Sequence, residues 1–255
     1  MTAGSPDRRA SGLASPTATT GDARPAAPSK TRERRTAIDR RAQILTAAMR
    51  RFAEFGFEAT TVRQIADDVK VLSGSLYHHF VTKDEMLHEI VRDAVFRLRD
   101  NAVRISSSSN EADRKLVALI IMDLEEMTSH QEIHAILYNE RKFFRRSEEF
   151  FYVLRAKKDG YVAWRSVLEQ GMSSGHFNPD LDVHLTISTI VRMMNTAADW
   201  YKNDDSVGPD RGSPYTLDQV IDFNIKFVLG AVLANGKAVG PNLRAECEAL
   251  ARLRD

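Results

Sequence analysis

The chain has 255 residues, with 36 lysines and arginines against 35 aspartates and glutamates. A net charge of +1 excludes a uniformly basic protein that coats nucleic acid. The lone cysteine, Cys247, excludes an intramolecular disulfide framework and fits a reducing compartment. No apolar run reaches the roughly 20 residues that a bilayer span needs, and the front of the chain lacks the apolar core of an export signal. A cytoplasmic protein without membrane contact is therefore expected.

Positive charge is concentrated at the front, in Arg8, Arg9, Arg24, Lys30, Arg32, Arg34, Arg35, Arg40 and Arg41. Residues 1–35, rich in Ala, Pro, Ser and Thr, read as a disordered basic tail. Such an arm beside a DNA-binding unit would strengthen phosphate neutralisation. Residues 36–83 then read as a small three-helix domain. Ile44, Leu45, Ala48, Phe52 and Ala53 form one apolar stripe on a helix from about Ala37 to Phe55, and Gly56 stands where a left-handed cap belongs. Thr61 with Gln64 makes a capping box, and Val62, Ile65, Ala66 and Val69 repeat at helical spacing, which predicts a short helix over Val62 to Val69. Lys70 to Leu72 form a turn, and Ser73 is expected to cap a second short helix over Gly74 to His79. Leu76 and Phe80 face inward on it, leaving Ser75, Tyr77 and His78 outside. Thr82 with Glu85 opens the next helix. Two helices joined by so tight a turn place the second in a DNA major groove.

The phrases FAEFGFEATTVRQIA and SGSLYHHFVTKDEM, within Ile44 to Lys83, resemble the tetracycline-repressor (TetR) family of bacterial regulators. Two positions depart from that pattern: Lys70 replaces the usual turn glycine, and Leu72 replaces a small polar residue. The resemblance implies that Thr61 and Tyr77 meet phosphates, that Arg63 and Ser75 approach bases or backbone, and that Gly74 permits close approach. It also implies that Ser73, His78 and His79 lie on the reading side and that Lys83 meets the DNA backbone. The partner implied is a double-stranded operator read by a homodimer.

Residues 84–240 read as a second, wholly helical domain for ligand binding and dimerisation, with 241–255 as a C-terminal extension. A connector helix spans about Lys83 to Ile105. Further helices are expected over 111–128, 131–144, 147–174, 182–202 and 216–234, with breaks at Gly175, Pro179, Gly208, Pro209, Gly212 and Pro214. The fold class is all-α. Wide apolar arcs on the last two long helices, with Leu185, Ile190, Val191 and Met194 on one and Val220, Ile221, Ile225, Val228 and Leu229 on the other, would make a four-helix interface in a two-fold dimer.

Aromatic and basic residues interleave in this domain, as an apolar pocket with a few placed polar groups requires. The phrases VLSGSLYHHFVTKDEM, QGMSSGHFNPDLDVHL and ADWY look like a TetR subgroup that represses lipid or steroid-ring catabolism and releases DNA on binding an acyl-CoA thioester. That likeness implies a small-molecule effector, with Arg192 and Arg141 at an anionic group and Trp164, Met193 and Trp200 against an apolar body; Tyr138 and Tyr161 are pocket candidates from the interleaving alone. Two other readings remain open: an efflux regulator responding to a hydrophobic drug-like ligand, and a constitutive architectural DNA binder. Catalysis is not expected. His130, Glu132 and His134 misplace the acid of a helical zinc-protease motif, and two histidines four apart lack a third ligand. No metal or cofactor is called for.

Overall fold

The computed structural model describes residues 30–200, 215–234, 240 and 242–252, with the backbone alone described at 30–37 and 197–200. The expected tail up to residue 29 lies outside the described residues. Met1–Asp39 and Arg40–Asp255 form separate compact units, and the described part of the first is helical from Lys30. The chain runs through α1 (Lys30–Phe55), α2 (Val62–Asp68), α3 (Ser73–Leu76) and α4 (Lys83–Ser106), then α5 (Ala112–Ser129), α6 (Gln131–Asn139) and α7 (Arg141–Arg146). A 3-10 turn at Glu148–Phe150 leads into α8 (Phe151–Ser173), followed by α9 (Val183–Trp200), α10 (Leu217–Val232) and α11 (Leu243–Ala251). Among the described residues the only extended pairing is an isolated bridge between Phe177 and Leu233.

Helix α1 begins earlier than expected, because Lys30 to Arg40 contains good helix formers and no glycine or proline. At its far end Gly56 adopts φ +86° and donates its N–H to the Phe52 carbonyl at 3.1 Å. The Thr61–Gln64 capping box forms as expected. Lys70, at φ +55°, is the only non-glycine with positive φ among the described residues. It occupies the glycine position of a Schellman motif: Val71 N–H donates to Ala66 O at 3.0 Å and Lys70 N–H to Asp67 O at 3.1 Å. That motif ends α2 and lets α3 start one residue sooner than expected. Leu72, not Ser73, is therefore the N-cap, with no side-chain hydrogen bond. Only Ser73–Leu76 is helical, and Tyr77 to His79 continue as a turn.

Two apolar cores result. One gathers Ile44, Ala48, Phe52, Phe57, Ile65, Leu76 and Phe80 with the first half of α4, and it continues into Ile136, Leu137, Phe144, Phe150 and Val153 of α6 to α8. The packing thus crosses residue 83. The expected single helix over 131–144 is broken at Glu140, which turns α7 so that Phe144 enters this core and Phe143 packs against Phe57, ring centroids 4.6 Å apart. The second core holds α5, α8, α9, α10 and α11 together.

The residues expected at a dimer interface instead fill that second core: Ile190, Met194, Val220, Ile221, Ile225, Val228 and Leu229 are buried within one chain and Val191 packs against them. Their arc is already used. What α9 and α10 leave outside is Leu185, Phe223 and Phe227, 63%, 63% and 55% exposed, with the two phenylalanine rings stacked 6.0 Å apart. The expected extension holds a helix, α11, whose Leu243, Cys247 and Ala251 recur at four-residue spacing and pack in the second core.

Candidate DNA-reading face and effector cavity

Residues of α2 and α3 are sorted by burial. Ile65, Ala66, Leu76 and Phe80 are buried, whereas Thr61, Arg63, Gly74, Ser75, Tyr77 and His78 are exposed on the outside of the helix pair. Ser73 and His79 are half-buried. The exposed set offers hydroxyls, an imidazole and a guanidinium, the groups that donate to phosphate oxygens and base edges. A Cβ at Gly74 would meet nothing within 4 Å, so the chain itself does not require glycine there. Leu72, 82% exposed, also lies open at the start of the helix.

Lys83 differs from expectation. Its Nζ donates to the Phe57 and Thr60 carbonyls at 2.5 and 2.7 Å and stands 4.3 Å over the Phe57 ring. Burial lowers its pKa. The ammonium ties the α1–α2 turn to the start of α4, and a phosphate would have to compete with two carbonyls for it. On the opposite side of that turn, Phe57 N–H donates to Glu140 Oε1 at 2.8 Å. The same oxygen lies 3.3 Å from where a Cβ on Gly56 would stand, so glycine serves both the left-handed turn and the close approach of Glu140.

A cavity of about 390 Å³ opens between α4, α5, α6, α8 and α9. Of the residues expected at a ligand, Tyr138, Arg141, Tyr161, Trp164 and Arg192 all line it. Met193 does not line it and packs against the second core, because it lies on a different side of α9 from Ile187, Val191 and Asn195. The Trp200 side chain lies outside the described residues. The expected arginines meet at Tyr138: Arg192 Nη1 donates to its hydroxyl at 3.4 Å, and Arg141 lies 4.4 Å over its ring and donates Nε–H to its carbonyl at 2.9 Å. Tyr161 Oη is 2.8 Å from His184 Nδ1.

Six polar residues of this cavity were not expected at a ligand: Arg99, Asp123, His134, Lys157, Ser188 and Asn195. Asp123 carried a signal, a lone acid inside the apolar run LVALIIMDL, and His134 stood out only for its spacing from His130; the other four carried none. Burial, aided by the Glu126 carboxylate, raises the Asp123 pKa to about 7. Burial lowers His134 to about 4, helped by nearby Lys157. Burial also lowers Lys157 to about 8, and its Nζ donates to Leu137 O at 2.6 Å. A second cavity of about 480 Å³ shares His134, Tyr138 and Asn195 with the first and reaches Arg50, Ala53 and Glu54 of α1.

Metal chemistry finds little support. Glu111, Asp113 and His176 each bring one ligand atom within 4.8 Å of the others. Arg114 already stands 3.0 Å from Glu111 and 3.7 Å from Asp113, so a cation there would meet a guanidinium. Burial pushes the Cys247 thiol up to about 12, which makes it a poor nucleophile. Among the described residues no helix is long and apolar enough to cross a membrane.

The helix pair with its outward polar face, backed by an internal cavity in a second helical region, defines a one-component DNA-binding regulator. Residues 44–90 match the bacterial regulatory proteins of the tetR family, and residues 109–213 match the tetracyclin repressor-like C-terminal domain. The chain belongs to the TetR family. It is 36% identical over 201 residues to the HTH-type transcriptional repressor KstR2 of Mycobacterium tuberculosis, covering 77% of this chain and 94% of that protein. It is 35% identical to KstR2 of Rhodococcus jostii, covering 72% and 90%. Among solved structures, that of the ketosteroid transcriptional regulator KstR2 of M. tuberculosis superposes with a TM-score of 0.69 at 34% identity, covering 77% of this chain and 96% of that one.

Proposed function

We propose that this protein is a homodimeric repressor that holds a near-palindromic operator and lets it go on binding a CoA thioester derived from lipid or steroid-ring breakdown. Its reading residues are Thr61, Arg63, Ser73, Gly74, Ser75, Tyr77, His78 and His79, with Arg63 and Ser75 nearest the bases. The dimer forms through the outward face of α9 and α10 around Leu185, Phe223 and Phe227, since large apolar side chains clustered on one face favour a partner. The names of the KstR2 relatives support the steroid side of this reading. The single observation that carries the ligand class is the composition of the cavity. Its apolar wall includes Leu98, Met122, Trp164 and Val191, and Arg99, Arg141, Lys157 and Arg192 supply positive charge on the same lining. That combination suits a molecule with an apolar acyl part and an anionic remainder.

The route from cavity to DNA is short. Lys157, on the lining, holds the Leu137 carbonyl of α6; three residues on, Glu140 holds the Phe57 N–H beside the helix pair. An effector that draws Lys157 or Arg141 toward its own anion shifts α6 and α7, and with them Glu140. Helix α4, which carries the cavity residues Val95, Leu98 and Arg99, moves with them. The two reading heads then no longer match one DNA turn of about 34–36 Å. An effector that binds the released state about a hundredfold better shifts operator occupancy by about 2.7 kcal/mol.

Footprinting on the promoter beside its own coding region tests the first half: a protected near-palindrome is expected, and diffuse protection would point to an architectural binder. Titrating that complex with free CoA, fatty acyl-CoA and steroid-derived CoA esters tests the second. Release by a hydrophobic cation and by none of the thioesters would overturn the ligand class.

A further inference from the structure

Leu72 is 82% exposed, the most open of the large apolar side chains among the described residues. It stands at the N-cap of α3, where its carbonyl accepts the Ser75 N–H at 2.9 Å but its side chain caps nothing. Leucine is a poor choice for that position, since a serine, threonine, asparagine or aspartate would offer an oxygen to a free N–H of the first turn. The side chain joins neither apolar core. Folding therefore gains nothing from a leucine here.

Its place is nonetheless fixed. Lys70, left-handed at φ +55°, and the bond from Val71 N–H to Ala66 O at 3.0 Å set the course of the chain just before it, and Leu72 itself has φ −70° and ψ 140°. Two residues on, Gly74 carries no side chain, and a Cβ there would meet nothing in the protein within 4 Å. A duplex can thus come up against the first residues of α3. The N-terminal residues of a helix seated in a major groove meet base edges. Leucine has no donor or acceptor for the oxygens and nitrogens there, and covering them without a partner is costly. The major-groove edge offers one methyl group, on C5 of thymine.

We propose that Leu72 is a specificity residue that packs against the methyl of one thymine in each half-site of the operator. It adds to the hydrogen-bonding groups of Arg63 and Ser75 an apolar contact that only one of the four bases can return. This assignment rests on α3 being the base-reading helix of the proposed function.

The test removes that methyl alone. In the duplex protected by footprinting, each thymine is replaced in turn by deoxyuridine, first in one half-site and then in both, and the affinity of the full-length protein is measured by fluorescence anisotropy. One thymine per half-site is expected to matter, with affinity falling about fourfold for one replacement and about fifteenfold for two, as one buried methyl per contact gives. Leu72→Ser should bind the thymine and deoxyuridine duplexes equally and melt no lower than wild type, because serine restores a cap. Leu72→Ala, too short to reach the methyl, should show the same equality. Equal affinity of wild type for every duplex would overturn the assignment and leave the protected operator, and with it the base-reading helix, standing. A deoxyuridine penalty that persists in both variants would overturn it by placing the methyl contact on another side chain. Diffuse protection, with no operator to substitute, would remove both this assignment and the proposal on which it rests.

Discussion

The helix-turn-helix head and the helical region behind it are stabilised in different ways, and under the proposed function that contrast is what would let one report on the other. In the head, local chemistry does most of the work. A capping box at Thr61, a left-handed glycine at position 56, a Schellman turn at Lys70 and a threonine cap at Thr82 set each boundary within a few residues of the groups that cause it. The sensing region is set by distant partners. Lys115, nearly buried, donates to Ser106 O and Gln170 Oε1, both at 2.9 Å, and Arg244 holds Asp218 and Asp222 at 2.5 and 2.9 Å. Gly171 accommodates the Phe177 ring, which a Cβ there would meet at 2.0 Å. A head assembled from short-range signals keeps its shape while it is moved. A region assembled from long-range contacts around a cavity can change when that cavity is filled.

Phe80→Ala should have the largest effect, because it empties a fully buried position in the head: a loss of about 3–5 kcal/mol in chemical denaturation. Loss of α3 order with the second core intact, read by hydrogen exchange, would sharpen the contrast. Simultaneous loss of both would break it, since the first core continues into α6 to α8. Glu140→Ala comes next. It leaves the Phe57 N–H without its carboxylate, at about 1–3 kcal/mol, and the measured quantity is the ratio of operator affinities with and without effector. That ratio should fall toward one; an unchanged ratio would remove Glu140 from the route.

Two substitutions in the head should act in opposite directions. Thr61→Ala removes a cap and costs about 1 kcal/mol. Lys70→Gly relieves a left-handed lysine and gains up to about 1 kcal/mol. Thermal melts check both, and a loss at position 70 would mean that the Schellman turn is not what sets α3.

The smallest effect is a pair of cancelling pH dependences. Asp123 is raised from 3.8 to about 7, so its stabilising contribution is complete below pH 4 and lost as pH rises to 7. His134 is lowered from 6.5 to about 4, so its contribution is complete above pH 6.5 and lost as pH falls to 4. Between pH 4 and 6.5 the two slopes oppose one another. Asp123→Asn should therefore make the protein less stable on acidification in that window, and His134→Gln more stable, by denaturant midpoints. Equal behaviour of the two variants would show that these groups do not titrate as a buried pair of opposite sense.

Much of the head was legible in the order of its residues, down to the capping box at Thr61 and the strained Lys70, because each signal involves neighbours within about four positions. The start of α3 was misjudged by one residue for the same reason: Ser73 is a good cap in isolation, but the turn made by Lys70 and Val71 had already chosen Leu72. Five of seven expected ligand residues do line one cavity, since aromatic and basic residues interleaved on amphipathic helices must meet somewhere. Arg99 and Lys157 were invisible, and His134 was legible only as a rejected metal ligand, because nothing in their own segments separates a cavity wall from a solvated face.

By itself, the order of residues determined an all-helical chain, the capped starts of α2 and α4, the helix pair and the outward polar side of that pair. These follow from periodicity and capping, which act over one or two helical turns. Only the tertiary structure decided that α9 and α10 spend their broad apolar arc inside the protomer, that Lys83 serves the turn at Phe57, and that Glu140 accepts the Phe57 N–H. Those outcomes depend on which side of a helix its neighbours cover first, and burial is a property of the packed whole.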